Sequence, residues 1–480
     1  MSLKDKTVSS IVWSGIERFS TLFIQLVCTI IIARLLTPAD FGLVGMLTIF
    51  ISLAQTIIDS GFGQALIRKQ DADQVDYSSV FYINLVLGII VYIVLFLCSS
   101  SIASFYDMPE LELVSKISFI VLPVNALGLI QYTILCKKID FRSISQITIY
   151  SSILSGILGI CIAFYFQNVW ALVVQSVSFY IFRTALLWFI NSWRPSLELS
   201  FNSIKAMFGF SINLLLTGLV GSFFMNIYSL VIGKFYTPTE LGYYSQADRI
   251  QKIPATSITE VIQRVTYPVL ATIQNEDERL RESYRKIINM AIFIITPLMT
   301  YFILVAPEFF DLILTDKWRI AAKYFQILCL TGICYPLSCI NLNILTIRGK
   351  TKLLFYLECL KKILLLVILI ISIHFDIIAV VYGQLLYGIL AVVLNLYFCG
   401  REIKLSIKQQ LLDVFPVILS TFLMYLCVFY LQHYLKETPL IIYLLISLLV
   451  ALISYFLISY TFHVKSLNEV KNIILIKLNK

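Results

Sequence analysis

The residues of this sequence that could do chemistry are polar and charged side chains set inside long apolar runs. Ser14, Arg18, Thr21 and Gln25 fall on one face of a helix, bordered by Glu17. Thr48, Ser52, Gln55 and Asp59 repeat the pattern, as do Ser211, Gly218, Ser222, Asn226 and Ser229. Arg249, Lys252, Thr256, Glu260 and Arg264 share a wider arc. Each such residue at membrane depth costs a few kcal/mol, so it faces a cavity or another polar group. Arg18, Arg249, Lys252 and Arg264 suit phosphate groups, which arginine can hold bidentately. Glu17, Asp59 and Glu260 can titrate or balance that charge, and Gln25 and Asn226 add hydrogen-bonding groups. The structural alternative pairs Glu17 with an arginine on another helix, and Glu260 with Arg264 at i,i+4. Taken one at a time the residues suit the structural alternative. As a set they favour lining a shared aqueous cavity.

Other charges read more simply. Arg183, alone in YIFRTALLWF, is expected to make an interhelical hydrogen bond to a carbonyl. Glu358, Lys361 and Lys362 can snorkel toward a membrane face, an account that suits Lys362 least. Pro123, Pro254, Pro268, Pro297 and Pro416 should kink their helices, with hinging the less common outcome. The cysteines are scattered through apolar runs and show no metal spacing. There is no P-loop, GxSxG, HExxH or loop DxD pattern. The reading is therefore a non-enzyme without cofactor or metal. Nucleic acid is excluded as a partner, although the formal net charge is +9, because the basic residues sit in short loops between apolar runs.

The elements that carry these stripes must be membrane helices. Of 480 residues, 59% are hydrophobic and 14% charged, with mean hydropathy +0.88. A soluble chain of this length could not cover its surface with so few charges. A spanning helix needs about 20 apolar residues. Such runs lie near 8–34, 40–62, 77–105, 111–134, 145–166 and 169–192. Others follow near 205–234, 241–272, 282–306, 321–345, 352–374 and 376–400, with a last pair near 409–432 and 439–463. The fold class is thus an all-α polytopic membrane protein with about fourteen transmembrane helices. The run 241–272 is the weakest, since it holds Asp248, Arg249, Lys252, Glu260 and Arg264. The first run lacks a small-residue cleavage site and reads as a retained helix.

Lys and Arg set the orientation. With a cytoplasmic N-terminus, about 23 basic residues fall on the cytoplasmic side and about 7 outside. Cytoplasmic segments then include Arg68/Lys69, Lys137/Lys138/Arg142, Arg279 to Lys286, Arg348/Lys350/Lys352 and the tail lysines. Both termini are expected to be cytoplasmic.

An internal repeat divides the chain. IIARLLTPADFG ends at Gly42 and VIGKFYTPTELG at Gly242. Thr37, Pro38, Asp40 and Gly42 match Thr237, Pro238, Glu240 and Gly242, and Arg34 matches Lys234. Each copy closes one span and opens the next, with the acidic residue at a helix N-terminus where the dipole favours it. This implies two pseudo-symmetric six-helix lobes, 1–200 (helices 1–6) and 201–402 (helices 7–12), related as a parallel repeat. Residues 403–480 add helices 13–14 and a tail. The stripes recur in helices 1, 2, 7 and 8, the equivalent pairs of the two lobes.

Several motifs together carry a resemblance. They are Trp13-Ser14-Gly15, ARLLTPADFGLVG at 33–45, DSGFGQALI at 59–67, Phe141-Arg142, IGKFYTPTELGYYSQADRI at 232–250 and RVTYPVLATIQNEDERLRESYRK at 264–286. The chain resembles the polysaccharide exporters of the multidrug/oligosaccharidyl-lipid/polysaccharide superfamily, nearest to its lipopolysaccharide, O-antigen and colanic-acid-type repeat-unit flippases. The likeness covers roughly the first 400 residues, and the tail shares only hydropathy. It implies two six-helix lobes plus two helices in the bacterial inner membrane. It also implies alternating-access transfer of undecaprenyl-pyrophosphate-linked oligosaccharide repeat units to the periplasmic face. Its partners would be that lipid-linked oligosaccharide, membrane lipids, and polysaccharide polymerase or assembly proteins. Relatives in the wider superfamily often carry an acid in helix seven. The stripe around Asn226 has none, so no ion-coupling site is assigned there. The rivals are a cation-coupled drug or small-molecule antiporter of the same superfamily, a peptidoglycan-precursor flippase, and a membrane glycan polymerase or ligase. The last would need a sizeable external loop, and the longest here, near 307–320, is short.

Overall fold

The computed structural model describes residues 3–435, 438–467 and 469. Lys471, Lys477 and Lys480 of the tail lie outside them. Among the described residues there is no strand. The long hydrophobic runs become helices because a bilayer leaves backbone N–H and C=O groups no partners except one another.

The helices are α1 (Leu3–Leu35), α2 (Pro38–Asp59), α3 (Phe62–Arg68), α4 (Gln74–Leu97), α5 (Ser99–Tyr106), α6 (Leu111–Ser118), α7 (Val121–Lys137), α8 (Phe141–Phe166) and α9 (Trp170–Ile190). They continue as α10 (Phe201–Phe235), α11 (Pro238–Thr272), α12 (Asp277–Ile313), α13 (Arg319–Ile347), α14 (Thr351–Ser372), α15 (Ile377–Glu402), α16 (Ile407–Tyr434) and α17 (Leu440–Thr461). Every expected span coincides with one of these helices or with two in series. Twelve stretches among the described residues are long and apolar enough to cross a membrane. The two expected spans outside that set are α11, which is weakly apolar, and α14, which is strongly apolar but carries Glu358, Lys361 and Lys362 within one spanning length.

Three spans are interrupted. Ser60 (φ 40°) and Gly61 (φ 74°) turn the chain in the left-handed region between α2 and α3. Cys98 separates α4 from α5, and Phe119–Ile120 separates α6 from α7. Pro123 therefore stands in the first turn of α7 and kinks no helix interior, as first-turn prolines do because their missing N–H has no intrahelical role there. Pro254, Pro268, Pro297 and Pro416 do lie inside helices, as do Pro307 and Pro336.

The chain divides into two compact units, Met1–Ser245 and Gln246–Lys480. In the first, α8 packs on both α1 and α9. Its inner face is built of small residues, with Ser151, Ser152, Ser155, Gly156, Gly159 and Ala163 all buried. A Cβ at Gly156 would sit 2.4 Å from Cys28 Sγ of α1, and one at Gly159 would sit 2.7 Å from Gln175 of α9. Small residues let membrane helices approach closely when no hydrophobic force drives them together. Helix α10 packs on α2, α3 and α4, which is why it falls within this unit.

The two copies of the repeat fold alike, and both lie in the first unit. Thr37 N and Oγ1 each donate to Asp40 Oδ2 (2.9 and 2.6 Å), while Asp40 N donates back to Thr37 Oγ1 at 3.4 Å. Thr237 and Glu240 form the same box at 3.0, 2.9 and 3.3 Å. The two glycines then cross. A Cβ on Gly42 would lie 1.8 Å from Pro238 O, and one on Gly242 would lie 1.8 Å from Pro38 O. Nearby, Lys234 Nζ at the end of α10 meets Asp107 Oδ2 at 3.0 Å. Thr37→Ala removes one side of a cap, so we expect a loss of about 1 kcal/mol. It should read as a small fall in melting temperature of the purified protein, with no change in expression.

In the second unit, α12 packs on α13, α16 and α17. The last two helices are docked by polar contacts. Tyr301 OH donates to Leu444 O (2.9 Å) and Tyr455 OH to Phe293 O (2.8 Å). Gln432 Nε2 donates to Leu304 O (3.0 Å) and to Tyr443 OH (2.7 Å). Arg285 grips Asp413 of α16 bidentately, with both contacts at 2.5 Å. The hydroxyl of Tyr284 lies between the side-chain carbonyls of Asn341 and Gln410.

Candidate polar site in the membrane helices

In the first unit the polar stripes of α1 and α2 converge on α9. Glu17 is half-buried and hydrogen-bonds the side chain of Thr148 on α8. Arg18 is exposed and Gln25 half-buried. Gln55 Nε2 donates to Tyr180 OH of α9 at 2.7 Å. One turn further, Asp59 ends α2. Arg183 on α9 lies close enough to act electrostatically on both Glu17 and Asp59.

Arg183 makes the expected interhelical hydrogen bond, from Nη1 to Oδ1 of Asn125 on α7 at 3.4 Å. Its acceptor is a side-chain carbonyl. Its guanidinium also lies 5.0 Å over the ring of Tyr132. The sequence reading treated Arg183 as isolated. The signal that it was not is charge arithmetic: Glu17 and Asp59 are intramembrane carboxylates of the same six-helix segment, and Arg183 shares it with them.

The α10 stripe divides between two environments. Ser211 is fully buried, and Ser222 Oγ meets Thr56 Oγ1 of α2 at 2.8 Å. A Cβ at Gly218 would stand 2.8 Å from Thr56 Cγ2. This part of the stripe is packing between α2 and α10. Asn226 is half-buried, and its Nδ2 donates to Ser222 O at 2.8 Å.

In the second unit, α11 has two opposed faces. Gln251, Ala255 and Thr259 are buried, with Gln251 Nε2 only 2.2 Å from where a Cβ on Gly332 of α13 would stand. The opposite arc carries the predicted stripe. Arg249, Lys252 and Arg264 are exposed there and Glu260 is half-buried. Lys252 Nζ pairs with Asp248 Oδ2 one turn back at 2.6 Å. In α14, Lys361 does not snorkel. It is 4% exposed and paired with Glu358.

Residues 31–323, more than half of the chain, match the family described as polysaccharide biosynthesis protein. The chain belongs to that family. This polysaccharide biosynthesis protein is similar to the teichuronic acid biosynthesis protein TuaB of Bacillus subtilis (strain 168), with 27% identity over 358 residues, 74% of each chain. It is also similar to the lipopolysaccharide biosynthesis protein WzxC of Escherichia coli (strain K12), with 25% identity over 452 residues, 92% of this chain and 88% of that one. Its fold matches the solved structure of the lipid II flippase MurJ in the inward closed conformation, with TM-score 0.73 at 16% identity over 94% of this chain and 99% of that chain. This polysaccharide biosynthesis protein is thus a multi-pass, all-helical membrane protein with a MurJ-like fold.

Proposed function

We propose that the chain is a flippase for undecaprenyl-pyrophosphate-linked oligosaccharide repeat units, serving surface polysaccharide biosynthesis. The observation that carries this is the family match, which spans both copies of the repeat and every candidate cation of α11. The names of TuaB and WzxC place those two proteins in the biosynthesis of surface polymers. Transfer runs from the cytoplasmic to the periplasmic face of the inner membrane by alternating access, and no covalent bond changes. The excess of basic residues in one set of loops supports cytoplasmic termini. The moving bodies are the six-helix lobes 1–200 and 201–402, with 403–480 as additional helices.

Arg18, Arg249, Lys252 and Arg264 attract the diphosphate, and all four are exposed residues. Gln25 and Asn226 offer hydrogen bonds to the glycan. Glu17, Asp59 and Glu260 balance charge. The glycan-bearing lipid, bulk lipid and a polymerase or assembly protein are the partners.

The test replaces Arg18 and Arg249 together by alanine in a strain lacking its own copy. A charge-assisted hydrogen bond contributes about 1.5–3 kcal/mol, so surface polysaccharide should fall about tenfold or more. Unchanged export at normal expression would overturn the cationic site.

A further inference from the structure

Arg183 spends little of its binding capacity on the protein. A guanidinium offers five N–H groups in a planar fork. Among the described residues its hydrogen bonding is the one bond to Asn125 Oδ1 at 3.4 Å, long for this class. Its remaining nitrogens are not among the fully buried atoms without a partner, and the residue is half-buried, so its unused donors are not sealed inside the helices. The ring of Tyr132 lies beneath the guanidinium carbon at 5.0 Å and gives the fork a cation–π support. An intramembrane arginine held this way is a costly arrangement unless something else completes its coordination.

The surroundings are equally specific. Two carboxylates act on Arg183 electrostatically, Glu17 from α1 and Asp59 from α2. Neither forms a contact ion pair with it. The remaining titratable neighbours are Tyr132 and Cys136 of α7, with Arg18 adjacent to Glu17 on α1. Thr148 of α8 occupies Glu17. Asp59 is an exposed residue and Arg183 a half-buried one, so the group is not enclosed by the helices. Formal charges of Glu17, Asp59 and Arg183 sum to −1.

We propose that Arg183, on α9, binds the diphosphate of the lipid-linked substrate through its open fork, while Glu17 and Asp59 keep that binding weak enough to be reversible. The inference rests on the flippase reading and adds a residue and a division of labour to it. When the site is empty, the carboxylates compensate the guanidinium at a distance. When a diphosphate approaches, they oppose it, and the anion must be released at the far face for transport to continue. A transporter gains nothing from a site that holds its cargo too tightly.

The experiment measures binding of undecaprenyl diphosphate to the purified full-length protein in lipid nanodiscs. Inorganic pyrophosphate and phosphatidylglycerol serve as comparison probes. We expect Arg183→Ala to weaken binding about tenfold or more, and Arg183→Lys, which keeps the charge but loses the fork, to recover only part of it. The double variant Glu17→Gln/Asp59→Asn should bind several-fold more tightly than the parent, yet export less polysaccharide. A structural ion-pair role predicts the opposite for that double variant, namely poorer folding and no gain in affinity, and that result would overturn the proposal. Parent-level binding by Arg183→Ala would overturn it too, while leaving the flippase reading intact. Should the parent bind no polyprenyl diphosphate, the flippase reading itself fails. Stronger binding of inorganic pyrophosphate than of the lipid would place the source outside the membrane and overturn the lipid assignment. If Arg183→Ala cannot be purified, Arg183→Lys and the double variant carry the same comparison.

Discussion

Gly42→Ala is expected to disable the protein, and Gly242→Ala to do the same. At each position the added methyl would stand 1.8 Å from a backbone carbonyl oxygen, that of Pro238 or of Pro38. Flexible side chains can swing away from an intruding atom, but these oxygens belong to the first residues of α11 and α2. Each helix start is held by its threonine–acid capping box. Relief therefore requires the two helix starts to separate by more than 1 Å (~3.2 Å is the ordinary contact limit), which disturbs the buried layer of Met46, Tyr106 and Leu241 against Gly233. Overpacking at such a point costs about 3 kcal/mol or more. Melting temperature should fall by several degrees and surface polysaccharide at least tenfold. Gly15, Gly209 and Gly221 provide the contrast, since a Cβ there meets nothing within 4 Å. Alanine at those sites should be neutral or slightly stabilising, because it restricts the helix less unfavourably than glycine does. Normal behaviour of Gly42→Ala would show that the helix crossing has no role.

Glu358→Ala should be the other large loss. Lys361 is 4% exposed, and its ion partner among the described residues is Glu358, one turn away on α14. Removing the carboxylate leaves an ammonium buried among Leu357, Leu365 and the facing side of α15. Breaking a fully buried pair from one side costs about 3–5 kcal/mol, and with Glu358 37% exposed the loss here should lie toward or below the low end, whereas replacing both members with apolar groups is often neutral. The double variant Glu358→Leu/Lys361→Met should therefore recover most of the melting temperature lost by the single variant. If the single variant melts like the parent, the lysine is not confined as described. Because both residues lie on one helix, the comparison does not depend on any motion of the protein.

Much of the fold is legible in the sequence because membrane helices report themselves through composition alone. Fourteen apolar runs correspond to helices even where charges interrupt them, as in α11 and α14. The Thr-Pro-x-acid repeat was readable for a related reason. A capping box is local chemistry, and both copies form the same bonds. Breaks such as Cys98 and Phe119–Ile120 were not readable, since neither has glycine or proline at the turn, and the serines after Cys98 and Lys116 and Ser118 before Phe119 are residues that a helix also accepts. Periodicity also identifies a polar face without saying what it faces. The α10 stripe illustrates this, because Ser222 spends its hydroxyl on Thr56. The interhelical bond of Arg183 is expected from its place in an apolar run, but its partners are not, because they come from helices more than 50 residues away in sequence and spacing along one helix carries no trace of them. Lys361 shows the converse. Snorkelling is the expectation for Glu358, Lys361 and Lys362 together, but Glu358 at i−3 pairs with Lys361 and lets it stay inside.

The docking of α16 and α17 on α12 has a consequence for how such a chain can change over time. Tyr301, Tyr455 and Gln432 reach main-chain oxygens of Leu444, Phe293 and Leu304. A carbonyl is present whatever residue bears it, so the accepting positions can mutate among apolar types without loosening the joint. The family match ends at residue 323, ahead of both helices. Divergence at this joint is therefore restrained mainly at the side chains that reach across it, Tyr301, Gln432 and Tyr455 together with the Arg285–Asp413 pair, and not at the residues whose carbonyls they meet.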